Sequence, residues 1–133
     1  MKNTLLINNN LLDDVTRQAN NSARLRMNFN LHDSYESNAQ KVINAMEPGT
    51  VVPIHRHKKF AETYVVLRGS IRVFFYNDKK TIIGNYLLDP NDGNYGIEIP
   101  LGVLHNLEVI EPGTVIFEVK DGPYIPSDTE NII

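Results

Sequence analysis

Residues 49–69 read GTVVPIHRHKKFAETYVVLRG. Two histidines, His55 and His57, stand two residues apart just after the β-branched residues Val51, Val52 and Ile54. Side chains alternate across a strand, so both imidazoles project from one face and form a natural two-point clamp for a metal ion. Glu62 opens the next strand-like run after a short connection, which can swing its carboxylate toward the same point. Gly49 ends the Glu47-Pro48-Gly49 turn before the stretch, and Gly69 follows Arg68 in the turn after it. Imidazole and carboxylate are ligand types suited to zinc, iron, nickel and manganese.

Upstream of this stretch, Leu25, Met27, Phe29 and Leu31 alternate with Arg24, Arg26, Asn28, Asn30 and His32, the pattern of a half-buried strand. Before it, Asn10 is the predicted N-cap of a short amphipathic helix carrying Leu11, Leu12, Val15 and Ala19. Asp13 and Asp14 are expected in its first turn and its end near Asn20-Asn21. Residues 41–46 also fit helical spacing, but the turn at 47–49 and the strand-like run 51–55 favour a strand.

Downstream, strands are predicted over 62–67, 70–76, 81–88, 97–99, 105–110 and 114–120, divided by Gly, Pro, Asn and Asp turns. Many short strands at close spacing imply an all-β sandwich or barrel. The stretch from Gly122 to Pro126 cannot enter a central strand, because proline lacks the ladder donor, and is expected to pack across the outside. With 133 residues the chain reads as a single domain: a helical lead-in over 1–21, a β-barrel over 22–120 and a proline-containing tail over 121–133.

His105 begins a predicted strand soon after the Pro100-Leu101-Gly102 turn, and it completes a candidate ligand set with His55, His57 and Glu62. Four protein ligands close a tetrahedral site but leave two open positions on an octahedral one. Water, dioxygen or a chelating substrate can bind there.

The full spacing carries a family resemblance. Gly49, five residues, His55, one, His57, four, Glu62, six, then Gly69 resembles the first sequence motif of the cupin superfamily without deviation. Pro100, Gly102 and His105 keep the order and spacing of the second motif. They depart from it in two places: the preceding glycine is one position off at Gly93, and Val109 stands where an asparagine is usual. A narrower resemblance, to the WbuC family of cupin-fold metalloproteins, rests on the runs 22–32, 53–57 and 118–124. It implies a small single-domain cupin, a double-stranded β-helix or jelly-roll barrel with a short N-terminal helix, and one divalent metal ion (Fe, Zn, Ni or Mn). Members of that family are encoded among bacterial surface-polysaccharide genes, and cupins commonly form homodimers.

Several further residues are candidates for ligand chemistry. Arg24, Arg26, Asn28 and Asn30 share a strand face that either lines the barrel mouth, holding a phosphate or carboxylate bidentately, or is simply solvated. His32 is a candidate catalytic or hydrogen-bonding residue on the same face. Tyr64 shares the face of Glu62 and reaches the pocket as an acid or donor, or packs in the core with a satisfied hydroxyl. Glu118 and Lys120 share another polar face and are expected to pair with Arg24 or Arg26; Arg56 points away from the two histidines.

Composition bounds the partners. The chain has 13 Lys and Arg against 16 Asp and Glu, a formal charge of −3, without a clustered basic surface for nucleic acid. It has no cysteine, which removes disulfides, thiolate metal sites and thiol nucleophiles together. No run approaches the ~18 apolar residues of a membrane span, and Met1 to Leu12 lacks the pattern of a signal peptide, so a cytoplasmic address is expected. The functional expectation is an enzyme of surface-polysaccharide metabolism acting on a small sugar or sugar-nucleotide-type substrate, an anionic sugar among the candidates, with the metal as Lewis acid. The alternatives are a non-catalytic sugar- or anion-binding or regulatory module, and an iron-dependent dioxygenase.

Overall fold

A computed structural model of the chain describes residues 3–131; the outermost residues of the expected lead-in and tail, 1–2 and 132–133, lie outside the described part. The first element is a helix, α1 (Asn9–Asn20), whose N-cap is Asn8: its side chain accepts from the Leu11 amide at 3.1 Å. The cap therefore falls two residues before the expected Asn10, and Asp13 and Asp14 lie beyond the first turn. Three neighbouring asparagines make the cap ambiguous in sequence; the helix takes the first one with an extended backbone. Leu12, Val15 and Ala19 form its buried stripe. Arg68 ties the helix to the barrel through Asp13 at 2.6 Å and Asn9 at 2.7 Å. Among the described residues, no helix is long and apolar enough to cross a membrane.

Among the described residues, ten strands follow: β1 (Arg26–Asn30), β2 (Ala39–Met46), β3 (His55–His57), β4 (Glu62–Arg68), β5 (Ile71–Tyr76), β6 (Ile82–Leu88), β7 (Gly96–Ile99), β8 (Leu104–Val109), β9 (Thr114–Asp121) and β10 (Thr129–Asn131). Their pairing is nested: β2 with β9, β3 with β8, β4 with β7 and β5 with β6, all antiparallel. The chain thus runs out and back as one long hairpin, and alternate pairs fall in opposite sheets. The sheet orders are β1-β2-β9-β4-β7 and β10-β3-β8-β5-β6, a jelly roll. At the far end of the hairpin, Asn77 Oδ1 accepts from the amides of Lys79 and Thr81, which tightens the β5–β6 turn.

Three details of the strands differ from the sequence expectations. The alternating run 24–32 is a strand only as β1, because Leu25 takes a left-handed backbone with φ of 58° and breaks it, so Arg24 and His32 flank the strand and do not share its face. The run 51–55 is irregular until His55, so β3 is only three residues long. The proline-containing stretch stays out of the sheets, but the chain beyond it returns as β10 and pairs with β3.

The interior is divided by polarity. Met46, Tyr64, Val66, Ile71, Val73, Leu88, Ile99, Leu107, Val109 and Ile116 fill one part of the space between the sheets. A second cluster lies under α1, where Leu12, Val15 and Ala19 meet Ile43, Ala45 and Val115. The central strands of the first sheet are consequently buried on both faces, which explains why residues 43–46 show no alternation in sequence. At the other end, the inward rows of this sheet are polar. Gln40, Lys120 and Glu62 lie in one cross-strand row; Asn30, Val42, Glu118 and Tyr64 lie in the next.

Candidate metal centre

Three imidazoles come from one sheet and one carboxylate from the other. His55 and His57 occupy alternate positions of β3, and His55 stands directly opposite His105 on β8. Glu62 is the first residue of β4 in the facing sheet. One ligand atom from each of the four lies within 4.8 Å of all the others. Ligands opposite one another across an ion at ~2.0–2.2 Å each stand ~4.0–4.4 Å apart, so the set needs only slight closing to hold one. His57, Glu62 and His105 are buried, and His105 is 1% exposed.

Hydrogen bonds fix how the rings point. His55 Nδ1 lies 2.8 Å from the Pro53 carbonyl and His105 Nδ1 lies 2.9 Å from the Val103 carbonyl. A carbonyl can only accept, so each Nδ1 carries the proton and each Nε2 keeps its lone pair when the ring is neutral. The third ring, His57, has Nδ1 3.3 Å from Asp128 Oδ2 and 3.2 Å from Thr129 Oγ1. Nε2 of His57, Nε2 of His105 and Oε1 of Glu62 are buried without hydrogen-bond partners. Glu62 Oε1 lies 3.3 Å from His57 Nε2 and 3.5 Å from His105 Nε2, near enough for electrostatic attraction but without hydrogen-bond geometry. Lone pairs converging on one buried point, with the opposite ring atoms held in place, fit a divalent ion.

The charges agree with that arrangement. Burial and the neighbouring His105 lower the His55 pKa to about 4, which leaves its ring neutral. Burial alone would raise the Glu62 carboxyl, but the imidazoles of His105 and His57 hold it below the usual range. Burial, with the Glu62 and Glu118 carboxylates nearby, pushes the Tyr64 phenol well above its ordinary value. The Tyr64 hydroxyl therefore keeps its proton at neutral pH. Glu118 is pushed up to about 8 by burial and by the charge of Glu62, against the Asn44 hydrogen bond, Arg26 and Lys120.

Two cavities flank the cluster and share Asn28, His57, Glu62 and Glu118. One, of about 380 Å³, is walled by Asn30, His32, Tyr35 and Tyr124; the other, of about 320 Å³, by Arg24, Arg26, Asn44 and Tyr64. The polar face of β1 thus lines the barrel mouth. Arg26 Nη1 also donates to the Val51 carbonyl at 2.8 Å. His32 stands apart from the four clustered residues: its Nδ1 accepts from the Lys41 amide at 3.1 Å. Tyr64 is 4% exposed and touches both the core and the second cavity.

Glu118 feels the charge of Arg26, as expected, but the hydrogen bonds of Glu118 and Lys120 go elsewhere. Glu118 Oε1 accepts from Asn44 Nδ2 at 3.1 Å, while Lys120 Nζ donates to Asp128 Oδ2 at 3.3 Å. Asp128 is the residue that sequence reasoning missed. It sits in an acidic and polar tail without periodicity, and its proximity to His57 arises only from the β10–β3 pairing.

No curated protein matches the chain by sequence. Among solved structures it is similar to the capsular polysaccharide assembling protein CapF from Staphylococcus aureus, at 18% identity and a TM-score of 0.62, over 80% of this chain and 34% of that one. It is similar to KdgF from Halomonas sp., at 14% identity and a TM-score of 0.59, over 77% of this chain and 83% of that one. It also matches the Lactobacillus farciminis oxalate decarboxylase formate complex, at 18% identity and a TM-score of 0.57, over 72% of this chain and 27% of that one. The chain spans about a third of the length of CapF. At these identities the likeness is one of fold, that of a small jelly-roll cupin with one short N-terminal helix. A family model matches residues 7–88, more than half of the length, and the chain accordingly belongs to the family described as Domain of unknown function (DUF6016).

Proposed function

We propose that this protein is a metal-dependent enzyme acting on a small sugar or sugar-nucleotide-type substrate, with one divalent ion held by His55, His57, Glu62 and His105. The observation that carries the reading is the set of buried, unpartnered Nε2 and Oε1 atoms facing one another. When bound, the ion supplies Lewis acidity for polarising a carbonyl or hydroxyl. Arg24 and Arg26 bind an anionic group of the substrate, and Asn28 and Asn30 hydrogen-bond its hydroxyls. His32 and Tyr64 donate hydrogen bonds where negative charge develops, and Glu118 is the carboxyl that holds and moves a proton in the cavity. The sugar assignment is supported by the resemblance to the WbuC family and by CapF, a capsular polysaccharide assembling protein. The reading includes a homodimer, supported by exposed Ile82, Ile83 and Tyr86 on the edge strand β6.

The test is elemental analysis of untagged protein purified without added metal, beside the His57→Ala variant. About one equivalent is expected in the native protein, with little in the variant. A full equivalent in the variant, or none in the native protein after reconstitution with each candidate metal, overturns the site. Iron accompanied by oxygen consumption carries the dioxygenase variant instead of sugar isomerisation. Metal and sugar binding without turnover carries the non-catalytic module.

A further inference from the structure

Three imidazoles face the candidate metal position, but they are held in two different ways. His55 and His105 are each oriented by a carbonyl two residues earlier in the chain. Those contacts are local and form with the strands themselves. His57 has no such contact; its Nδ1 faces Asp128 and Thr129, which belong to the C-terminal segment.

Asp128 is fully buried, and its contacts account for why the chain returns there. Its backbone oxygen accepts from the Lys58 amide at 2.8 Å, and Oδ1 accepts from the Lys59 amide at 2.6 Å. Oδ2 meets both Lys120 Nζ and His57 Nδ1 at 3.3 Å. Beyond it, β10 pairs with β3 from Thr129 to Asn131, and Glu130 reaches Arg56 at 3.2 Å and Lys58 at 3.6 Å. The same segment supplies Tyr124 to one cavity and Thr129 and Asn131 to the other.

We propose that Asp128 is a positioning residue of the metal centre and that residues 122–131 dock as part of it, so that metal occupancy and docking strengthen each other. The inference rests on the metal reading above. A carboxylate behind an imidazole fixes the ring orientation and makes the opposite nitrogen a better ligand. In return, a divalent ion on Nε2 would make the ring more positive and strengthen its electrostatic attraction to the Asp128 carboxylate 3.3 Å from Nδ1, which compensates the burial of a charge. Coupling of this kind is reciprocal: whatever docking adds to metal affinity, metal adds to docking.

The test uses the full-length protein and zinc ion alone. Zinc affinity is measured by competition with a chelator in the native protein and in Asp128→Asn and Asp128→Ala. Asparagine keeps an acceptor of the same size but removes the charge. Zinc binding is expected to weaken about 10-fold in Asp128→Asn and up to about 100-fold in Asp128→Ala. The His57 Nδ1–H proton resonance should move in Asp128→Asn even while the tail stays docked, which a purely structural role would not produce. In the native protein, which needs no variant to fold, zinc should slow hydrogen exchange at the Lys58 and Lys59 amides.

Native zinc affinity in both variants overturns the proposal, as does exchange at Lys58 and Lys59 that zinc leaves unchanged. In either case native protein that still holds zinc leaves the metal reading standing. Native protein that holds no zinc or other divalent ion removes the metal reading, and this inference with it.

Discussion

Gly69 and Gly102 both adopt left-handed backbone conformations, with φ of 77° and 82°, yet their surroundings differ. A Cβ on Gly69 would stand 2.1 Å from Thr114 Oγ1 and 2.8 Å from Thr114 Cα, whereas one on Gly102 would meet nothing within 4 Å. Thr114 cannot retreat cheaply, because it is buried and its hydroxyl joins the Ser70 amide to the Glu111 carbonyl. Gly102→Ala should therefore cost only left-handed strain, about 1 kcal/mol, and Gly69→Ala about 3 kcal/mol once the clash is added. Urea unfolding midpoints of the two variants check this; equal losses would mean that Thr114 yields freely. These glycines are legible in sequence as turn residues, but the crowding that separates them comes from a residue 45 positions away in β9, roughly a third of the chain.

At the scale of the element, β1 shows what a period of two can and cannot tell. Its apolar residues Met27 and Phe29 pack under α1, as the alternation implied, while the alternation alone did not tell a solvated polar face from the cavity wall that Asn28 and Asn30 form. The His55-x-His57 clamp was legible for the same reason: side chains two apart on a strand share a face. The contacts of Glu118 with Asn44 and of Asp128 with His57 were not, because they depend on register between segments more than half the chain apart. The helix cap was misplaced within a run of asparagines whose members are chemically identical. If the cavity wall formed by Arg24 and Arg26 binds an anionic group, Arg24→Ala combined with Arg26→Ala should leave zinc content unchanged and weaken inorganic phosphate binding to the zinc-loaded protein about 10-fold or more. Calorimetry reads the phosphate and elemental analysis reads the zinc. Unchanged phosphate affinity would return the face to a solvated wall, while lost zinc would give Arg26 a structural role through its bond to the Val51 carbonyl.

For the molecule as a whole, the decisive feature is that the four candidate ligands come from both sheets. His55, His57 and His105 lie on β3 and β8 of one sheet, and Glu62 lies on β4 of the other. Elsewhere the sheets are joined by the apolar core, but at the polar end the inward rows carry Gln40, Glu118, Lys120 and Glu62, which provide little hydrophobic attraction. An ion bound there joins the two sheets at the place where burial contributes least. Because the unfolded chain does not assemble the four ligands, metal binding should add to stability by mass action, about 2.7 kcal/mol at a free-ion concentration 100 times the dissociation constant. For a domain of this size that corresponds to a rise in Tm on the order of 10 °C. Differential scanning calorimetry with zinc, and again after excess chelator, should show the rise and its reversal. His105→Ala and Glu62→Gln remove a ligand from opposite sheets, and both should abolish most of the shift. A shift lost in His105→Ala but kept in full by Glu62→Gln would mean that the ion is held by one sheet alone, so that the two halves of the barrel meet through their core and not through the metal.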